Sequence, residues 1–403
     1  MTVSLKHKGL LAIALLSGLT SFNTVYGEEY KRLAPELSAA DAKLSPRDIS
    51  YLKKAFIDAA PAERKDGIPV GELGIDGGNK AMILQLAQEI ADDKHGNFDS
   101  LLIAHKGKLI FESYYKRGRI NLAHYQASAT KAYTSMALGR AIQLGYLTMA
   151  DLDKPVVGFL KDLDPTKFVE GAEKITLHQA LTMSSGLRPN GDKMREIREN
   201  PAALKGQGLI QAYFEHSAPI TAESQSFKYG GGQPDLVMHV IEAVVPGSAK
   251  DFIKNELLGK MGITNYSWRT AVSSLPEGGG NSSKTSRAML KLGTLVINHG
   301  KWDDEQLIPA AFIAKATSKI ADPGDEWDDI AGGVSSTGYG YLWWQADLSI
   351  GDKSYLSKAA RGGGGQFSIV IEELDLVVVV TANDRDNKTS SLTATRILPA
   401  FIY

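Results

Sequence analysis

The stretch SLLIAHKGKLIFESYY, residues 100–115, contains two apolar runs joined at Lys106-Gly107. Two such runs around a short glycine-containing turn are typical of a β-hairpin. Near the other end of the chain, FSIVIEELDLVVVVTAN, residues 367–383, has the same form and predicts a second hairpin that turns at residues 372–375. We therefore expect one antiparallel sheet to which both ends of the chain contribute strands.

Helical periodicity separates the two hairpins. From about residue 126 to residue 292 the chain has mostly the pattern of helices and loops, including a helix at 128–144. The pattern predicts an α+β protein with an α/β part formed by residues 79–125 and 293–403 and a mainly helical part at 126–292. A groove between the two parts is the expected place for a ligand.

The segments at the two ends of the chain complete this prediction. Residues 28–78 are predicted to form an extended arm with one short helix near residues 45–59. A helix is expected at about residues 79–93, and helical spacing returns at residues 390–402.

The first residues have the pattern of a secretory signal peptide. Lys6 and Lys8 precede an apolar run at residues 9–19, and small and polar residues follow up to Gly27. The run is too short for a bilayer-spanning helix, and a buried N-terminal helix is the alternative. We expect residues 1–27 to be cleaved, which leaves a periplasmic or secreted protein without a transmembrane segment in the mature chain.

The composition argues against several classes of protein. Lys and Arg number 45 and Asp and Glu 46, and no long run of one sign occurs, which argues against a nucleic-acid partner. Without cysteine, the chain can hold neither a disulfide nor a cysteine-linked lipid anchor. The 8 histidines lack metal-ligand spacing, so we expect no metal and no cofactor. A small molecule is the expected partner.

The spacing Ser-x-x-Lys, which can place a nucleophile beside a base, occurs three times. The matches are Ser50 with Lys53, Ser113 with Lys116, and Ser128 with Lys131. In a strand, residues three apart point to opposite faces, which excludes the second pair. The first pair lies on the predicted surface arm. Only the third begins a predicted helix, where residues three apart share a face.

Ser128 and Lys131 are therefore the candidate catalytic pair. A helix N-terminus offers free backbone N–H groups and the positive end of the helix dipole, and both favour a developing alkoxide at Ser128. Lys131 can act as a base only if burial lowers its pKa towards neutrality. The alternative is an ordinary serine cap followed by a lysine that extends into solvent.

Several longer motifs follow in order along the chain. They are QASATKAYTSMALGRAIQLGYLTMADLDKPV (126–156), ITLHQALTMSSGL (175–187), FKYGGGQPDLVMHVIE (227–242), GYGYLWW (338–344) and ARGGGGQFSIVIEELDLVVVV (360–380). Together with the first hairpin, they resemble the serine β-lactamase and penicillin-binding-protein superfamily, specifically its class C-like branch. That branch includes family VIII esterases and 6-aminohexanoate-dimer hydrolase. The resemblance implies a β-lactamase/transpeptidase-like fold, an antiparallel sheet flanked by helices plus an all-helical insertion.

The resemblance also implies a role for a tyrosine. Tyr229 matches the tyrosine that shares protons with the serine and lysine, here Ser128 and Lys131. Gly231 stands where a polar side chain often lies in the family, which argues against the amide recognition that β-lactamases perform.

The segment RGGGGQ replaces the Lys-Thr-Gly element of the family. By resemblance, the backbone N–H groups of Ser128 and Gly363 would form the oxyanion hole. Arg361, Gly364 and Gln366 are further candidates for substrate contact, although Arg361 could instead be a solvated charge at a strand end. The flanking apolar alternation favours a paired strand here, and a loose turn is the alternative.

We therefore expect a secreted serine hydrolase that cleaves a small carboxylic ester or amide through an acyl-enzyme on Ser128. A β-lactamase or DD-peptidase is the alternative enzyme. A non-catalytic, penicillin-binding-like binding protein is the alternative of another class. Loops at residues 187–206 and 322–338 are expected to shape the pocket.

Overall fold

An antiparallel sheet organises the chain in the computed structural model, which describes residues 33–384 and 388–402. The strands of this sheet and of two smaller sheets are β1 (Phe56–Asp58), β2 (Phe98–His105), β3 (Lys108–Tyr114), β4 (His124–Tyr125), β5 (Tyr266–Trp268), β6 (Ser282–Lys284), β7 (Lys301–Trp302), β8 (Glu305–Gln306), β9 (Val334–Tyr339), β10 (Trp344–Ile350), β11 (Lys353–Gly362), β12 (Gln366–Ile371) and β13 (Leu376–Ala382). The large sheet has eight strands in the order β1-β3-β2-β13-β12-β11-β10-β9. The two predicted hairpins, β2-β3 and β12-β13, are confirmed and pair with each other at its centre.

The helices lie between and after these strands. They are α1 (Lys80–Ala91), α2 (Thr130–Gln143), α3 (Leu177–Leu181), α4 (Gly191–Ile197), α5 (Gly208–Glu215), α6 (Gly232–Val244), α7 (Ala249–Phe252), α8 (Ser286–Ile297), α9 (Ala310–Ala316), α10 (Thr389–Leu392) and α11 (Pro399–Ile402). A π-helical turn extends α7, and another joins α10 to α11. The α+β class is confirmed. Among the described residues, no helix combines the length and the apolar character needed to cross a membrane.

Helices cover both faces of the central strands. Every residue of β2, β12 and β13 is buried, including those that alternate between the two faces. Helix α8 packs on these three strands, and the Ser368 hydroxyl donates to the Met289 carbonyl of that helix. The C-terminal helical segment packs on α1 and β10. The continuous apolar runs of the two hairpins follow from this two-sided burial.

Helix α2 lies at the centre of the molecule. Its residues from Thr130 to Ile142 are all buried, and it contacts helices α6 and α9 as well as β11 of the sheet. It ends at Leu144, after which Gly145 takes a φ of 80°. That left-handed conformation favours glycine and ends the helix where the sequence predicted.

The N-terminal arm differs from its prediction. The helix expected near residues 45–59 is wrong, because Phe56–Asp58 forms strand β1 at the edge of the sheet. Phe56 pairs with Tyr114 of β3, and their ring centroids lie 6.2 Å apart. This contact with a distant residue outweighs the local helical pattern. The predicted signal peptide, residues 1–27, lies outside the described residues.

The predicted helical part also contains strands. β4, β6 and β5 form a small antiparallel sheet beside the start of α2, in the order given. The boundary predicted between residues 292 and 293 falls inside α8, which packs on the large sheet. The division into an α/β part and a helical part stays a prediction.

We expect Gly293→Ala to lower the free energy of unfolding by about 1–2 kcal/mol, although alanine by itself favours a helix by about 1 kcal/mol. A Cβ at Gly293 would lie 2.4 Å from Cγ1 of Val377, so α8 would have to move away from the sheet. Urea denaturation measures the change. Gly191→Ala in α4 is the matched control, because no atom lies within 4 Å of its added Cβ. A Gly293→Ala variant as stable as the wild type would contradict this packing.

Candidate active site

Ser128 lies in a 3-10 turn, Ala127–Ala129, that leads directly into α2. Two parts of the chain hold this turn. The Gln126 N–H donates to the Ser282 carbonyl of β6 at 2.8 Å. On the other side, a Cβ at Gly362 of β11 would lie 2.2 Å from the Gln126 carbonyl oxygen. Only glycine allows β11 to approach so closely, and the half-buried hydroxyl of Ser128 is thereby held at a fixed position.

Lys131 lies one turn further along and points back to Ser128. Its Nζ donates to Ser128 Oγ at 3.0 Å and to the Gly279 carbonyl at 2.8 Å. The residue is only 4% exposed. Burial lowers the pKa of the amine to about 8, and the charge of Asp235 opposes this shift. A substantial fraction of the amine is therefore neutral at slightly alkaline pH, when it can accept a proton.

Tyr229 completes the cluster from the loop before α6. Its ring centroid lies 4.7 Å from Lys131 Nζ. Burial raises the pKa of the phenol, whereas hydrogen bonds with Ser128 and Trp344 oppose the rise. The three predicted side chains thus meet in one cleft, although Tyr229 lies about a hundred positions after Ser128 and Lys131 in the sequence.

The loop that carries Tyr229 is tied to the segment that begins with α3. The Lys228 N–H donates to the Met183 carbonyl at 2.8 Å. The Gln233 side chain donates to the Lys228 carbonyl and accepts from the Ser185 N–H, both at 3.0 Å. The motif ITLHQALTMSSGL therefore positions the tyrosine without contributing a reacting group.

Two pockets, a wide cleft and an aromatic pocket, both have Ser128 and Tyr229 in their lining. The wide cleft has a volume of about 620 Å³, and the aromatic pocket has about 260 Å³. The polar and charged side chains in the lining of the wide cleft are Lys131, Arg198, Tyr213, Asp235, Arg269, Glu277 and Asn281, and Leu209, Ala271 and Val272 supply apolar surface. The aromatic pocket is lined by Trp327, Trp344, Arg361, Phe367 and the glycines Gly362–Gly365. A substrate that reaches Ser128 can place one group in each.

The glycine segment is both strand and turn. Arg361 and Gly362 end β11, and Gln366 begins β12. Gly364 and Gly365 between them have φ values of 87° and 92°. The sharp turn requires this left-handed backbone, which only glycine adopts readily.

The candidate contacts in this segment differ in where they point. Gly363 and Gly364 line the aromatic pocket together with Ser128. Gln366 does not: it is buried, and its amide donates to the Ala382 carbonyl at 2.6 Å. We therefore remove Gln366 from the predicted substrate contacts, because its side chain is used to join β12 to β13.

Arg361 is not the solvated charge that the sequence offered as one interpretation. It is half-buried, with its guanidinium 5.3 Å from the Trp327 ring and 5.5 Å from the Trp344 ring. Burial lowers the pKa of Arg361, and Tyr229 opposes the shift. No carboxylate among residues 33–384 and 388–402 forms an ion pair with it. The aromatic pocket therefore carries a positive charge that a ligand could neutralise.

Sequence reasoning missed two groups of residues in this site. Trp327 and Trp344, whose ring centroids lie 4.4 Å apart, form the wall of the aromatic pocket. Trp344 belongs to the motif GYGYLWW, and Trp327 to a loop that was expected to shape the pocket. Asp235 gave no signal, because an acidic residue in the first turn of a helix is ordinary. Gly279 was visible only as part of a glycine cluster.

Within the described part of the chain, no cluster of three or more His, Asp or Glu residues is arranged to hold a metal ion. The candidate site consists of a hydroxyl, an amine, a phenol and backbone groups. This set can perform nucleophilic attack and proton transfer.

Comparisons with known proteins bear on the fold and the family of this chain. The sequence model described as Beta-lactamase matches residues 85–400. No curated protein matches the chain.

Several solved structures share the fold. A 6-aminohexanoate-dimer hydrolase homologue from Bacillus anthracis is 17% identical, with a TM-score of 0.60, and the match covers 84% of this chain and 88% of that chain. The hydrolase EstCE1 is 15% identical, with a TM-score of 0.60, over 80% and 99%. A class C beta-lactamase mutant is 15% identical, with a TM-score of 0.59, over 79% and 96%. At this identity the similarity establishes the fold.

The surroundings of Lys131 predict how the reactivity of Ser128 depends on pH. We expect the rate of Ser128 labelling by a fluorophosphonate to rise about tenfold per pH unit below the lysine pKa and to level off above it. The amine must be neutral to accept the serine proton, and its pKa lies at about 8. Mass spectrometry measures the labelling.

Lys131→Arg is the matched variant for this test. Its guanidinium keeps the charge and cannot lose a proton at these pH values. We expect labelling at least about a hundredfold slower at every pH. A wild-type rate that does not change between neutral and alkaline pH would contradict the role of Lys131.

Proposed function

This chain belongs to the Beta-lactamase family, a family of serine hydrolases, and we propose that it hydrolyses a small carboxylic ester or amide through an acyl-enzyme on Ser128. The observation that carries the proposal is the 3.0 Å hydrogen bond from a buried lysine amine to the Ser128 hydroxyl. Burial makes that amine a base near neutral pH, which the reaction requires.

In the first half of the reaction, Ser128 Oγ attacks the carbonyl carbon of the substrate. Lys131 Nζ takes the hydroxyl proton as the new C–O bond forms. The carbonyl oxygen becomes an oxyanion, which the N–H groups of Ser128 and Gly363 would stabilise. The intermediate collapses when the bond to the leaving group breaks, and Tyr229 relays the proton from Lys131 to the departing oxygen or nitrogen.

In the second half, water replaces the leaving group. Lys131, which is neutral again, takes a proton from the water molecule, and the water oxygen attacks the acyl carbon. The ester bond to Ser128 then breaks, and the proton returns to Ser128 Oγ. Ser128 is the nucleophile and Lys131 and Tyr229 carry the protons, so no metal or cofactor takes part in this scheme.

The surroundings of Lys131 favour ordinary esters and amides over β-lactams. Gly231 has no side chain where the family often has a polar one, and a Cβ there would meet no atom within 4 Å. The amine instead bonds to the Gly279 carbonyl. Position 231 therefore has no polar side chain that could contact the amide group of a β-lactam. The Lys131 amine still has a hydrogen-bond acceptor, the Gly279 carbonyl.

We also propose that Arg361 binds a carboxylate on the acyl part of the substrate. Its guanidinium lies over the rings of Trp327 and Trp344 and has no anionic partner among the described residues. A carboxylate bound there would gain charge-assisted hydrogen bonds in a partly desolvated site. The aromatic pocket, at about 260 Å³, would hold a short acyl chain.

Secretion remains part of the proposal. It rests on the sequence of residues 1–27, with Lys6 and Lys8 before an apolar run, and it includes cleavage after Gly27.

We expect a fluorophosphonate probe to label the wild type and not Ser128→Ala, because the variant lacks the nucleophile. Ser50→Ala is the matched control, since Ser50 belongs to another Ser-x-x-Lys pair but is exposed. In the same samples, p-nitrophenyl butyrate should be hydrolysed far faster than nitrocefin. Rapid turnover of nitrocefin alone would favour a β-lactamase. A wild type that is not labelled at all would favour a non-catalytic binding protein.

We expect Arg361→Gln to lower kcat/KM for a p-nitrophenyl succinate monoester by about 10- to 100-fold more than for p-nitrophenyl butyrate. The two esters differ in acyl charge, and only the first can pair with the guanidinium. Arg269→Gln in the wide cleft is the control, and it should change both esters by similar factors. An equal loss for both esters in Arg361→Gln would argue against a carboxylate site.

A further inference from the structure

Asp235 is a half-buried acid on α6 that lines the wide cleft and that the reaction scheme above does not use. We propose that Asp235 is a positioning residue: it holds the backbone that carries the acceptor of Lys131, and its charge sets the proton affinity of that amine. The expected effect of Asp235 on kcat/KM rests on the proposed function. Its structural part can be tested without any substrate.

The carboxylate is bonded to the backbone that contacts α2. Asp235 Oδ1 accepts the Gly278 N–H at 3.2 Å. The Gly278 carbonyl accepts from Thr134 Oγ1 at 2.8 Å, and the next carbonyl, Gly279, accepts from Lys131 Nζ at 2.8 Å. One acid thus anchors a segment that bonds twice to the first turns of α2.

The anchored segment fits closely between the two helices. A Cβ at Gly278 would lie 2.2 Å from the Pro234 carbonyl oxygen of α6. A Cβ at Gly279 would lie 3.6 Å from Lys131 Nζ. Backbone contact with Pro234 and the Asp235 bond therefore both hold the segment against α6, and the Lys131 amine contacts it from α2.

Helix capping does not explain Asp235. An acid in the first turn of a helix usually accepts the free N–H groups of that same helix. Here the two carboxylate oxygens accept instead from the Gly278 N–H and, at 3.3 Å, from the Tyr213 hydroxyl of α5. Both partners belong to other parts of the chain, so the carboxylate joins three segments around the amine.

Titratable groups from three neighbouring segments act on the Asp235 carboxylate. Lys131 faces it from α2, Tyr213 from α5 and Glu277 from the loop before Gly278. Arg198 and Arg269 line the same cleft, and His239 of α6 bonds to the Asp235 backbone carbonyl. None of the cations in the described part of the chain forms an ion pair with the carboxylate. The field of Asp235 therefore acts on Lys131 without being neutralised by a direct partner.

Asp235 loses its proton at a lower pH than Lys131, as its proposed effect on the amine requires. Burial raises the pKa of Asp235 to about 6, and its hydrogen bonds with Gly278 and Tyr213 oppose that rise. The pKa of Lys131 lies at about 8. Asp235 is thus negative throughout the pH range in which the amine loses its proton, and the negative charge favours the protonated amine.

Removing the charge of Asp235 should make Lys131 neutral at lower pH. Asp235→Asn keeps an oxygen that can accept the Gly278 N–H and removes only the charge. Asp235→Ala removes the acceptor as well, so the Gly278–Gly279 segment loses its anchor. The two variants therefore separate the electrostatic effect from the positioning effect.

The experiment measures two curves against pH for the wild type and both variants. One is the acetylation of Lys131 by acetic anhydride, read by mass spectrometry, and the other is kcat/KM for p-nitrophenyl butyrate. We expect Asp235→Asn to move both midpoints to lower pH by about 0.5 to 1 unit. We expect Asp235→Ala to lower the alkaline plateau of kcat/KM at least about tenfold below that of Asp235→Asn.

Asp192→Asn is the control, since Asp192 also lies in the first turn of a helix but is exposed and paired with Arg195. It should leave both curves unmoved. Unshifted midpoints in a folded Asp235→Asn variant, as judged by circular dichroism, would overturn the inference. A wild type without esterase activity would instead contradict the proposed function, while the acetylation curves would still decide the role of Asp235.

Discussion

The burial of the Lys131 amine, to which no carboxylate of the described residues is bonded, is the constraint on which the rest of the site depends. Its Nζ donates to two neutral oxygens, Ser128 Oγ and the Gly279 carbonyl, and lies over the face of the Tyr229 ring. A charged amine in such surroundings loses hydration that two hydrogen bonds replace only in part. The pKa of the amine falls as a result, and the lysine becomes a base beside the hydroxyl that it must activate.

Glycine allows distant backbone segments to close around that amine. Gly362 of β11 lies against the Gln126 carbonyl, and Gly278 lies against the Pro234 carbonyl of α6. Since a side chain at either position would meet backbone atoms, which cannot rotate away, neither contact tolerates a larger residue. The glycine clusters therefore mark close contacts between segments. Gly231 differs from them, because the space beside it is open and leaves room in the cleft.

The two central hairpins of the large sheet could be predicted because their strands are long and apolar and are joined by short turns, as in 100–115. Helix α2, which follows Ser128, could be predicted from its spacing and from Gly145. The arm could not: Phe56 is drawn into strand β1 by Tyr114, which lies far along the chain. The small sheet β4-β6-β5 has strands of two or three residues, too short for any periodicity to appear.

The sequence by itself determined the α+β class, the two hairpins and the pairing of Ser128 with Lys131, because each depends on residues close together in the chain. The tertiary structure decided which acceptor the lysine uses, that Asp235 lies behind it, and that Arg361 is stacked on tryptophan rings. Those properties depend on burial and on contacts between remote segments. Burial changes the chemistry of an amine, a carboxyl or a guanidinium, and residue type and spacing do not specify how deeply each becomes buried.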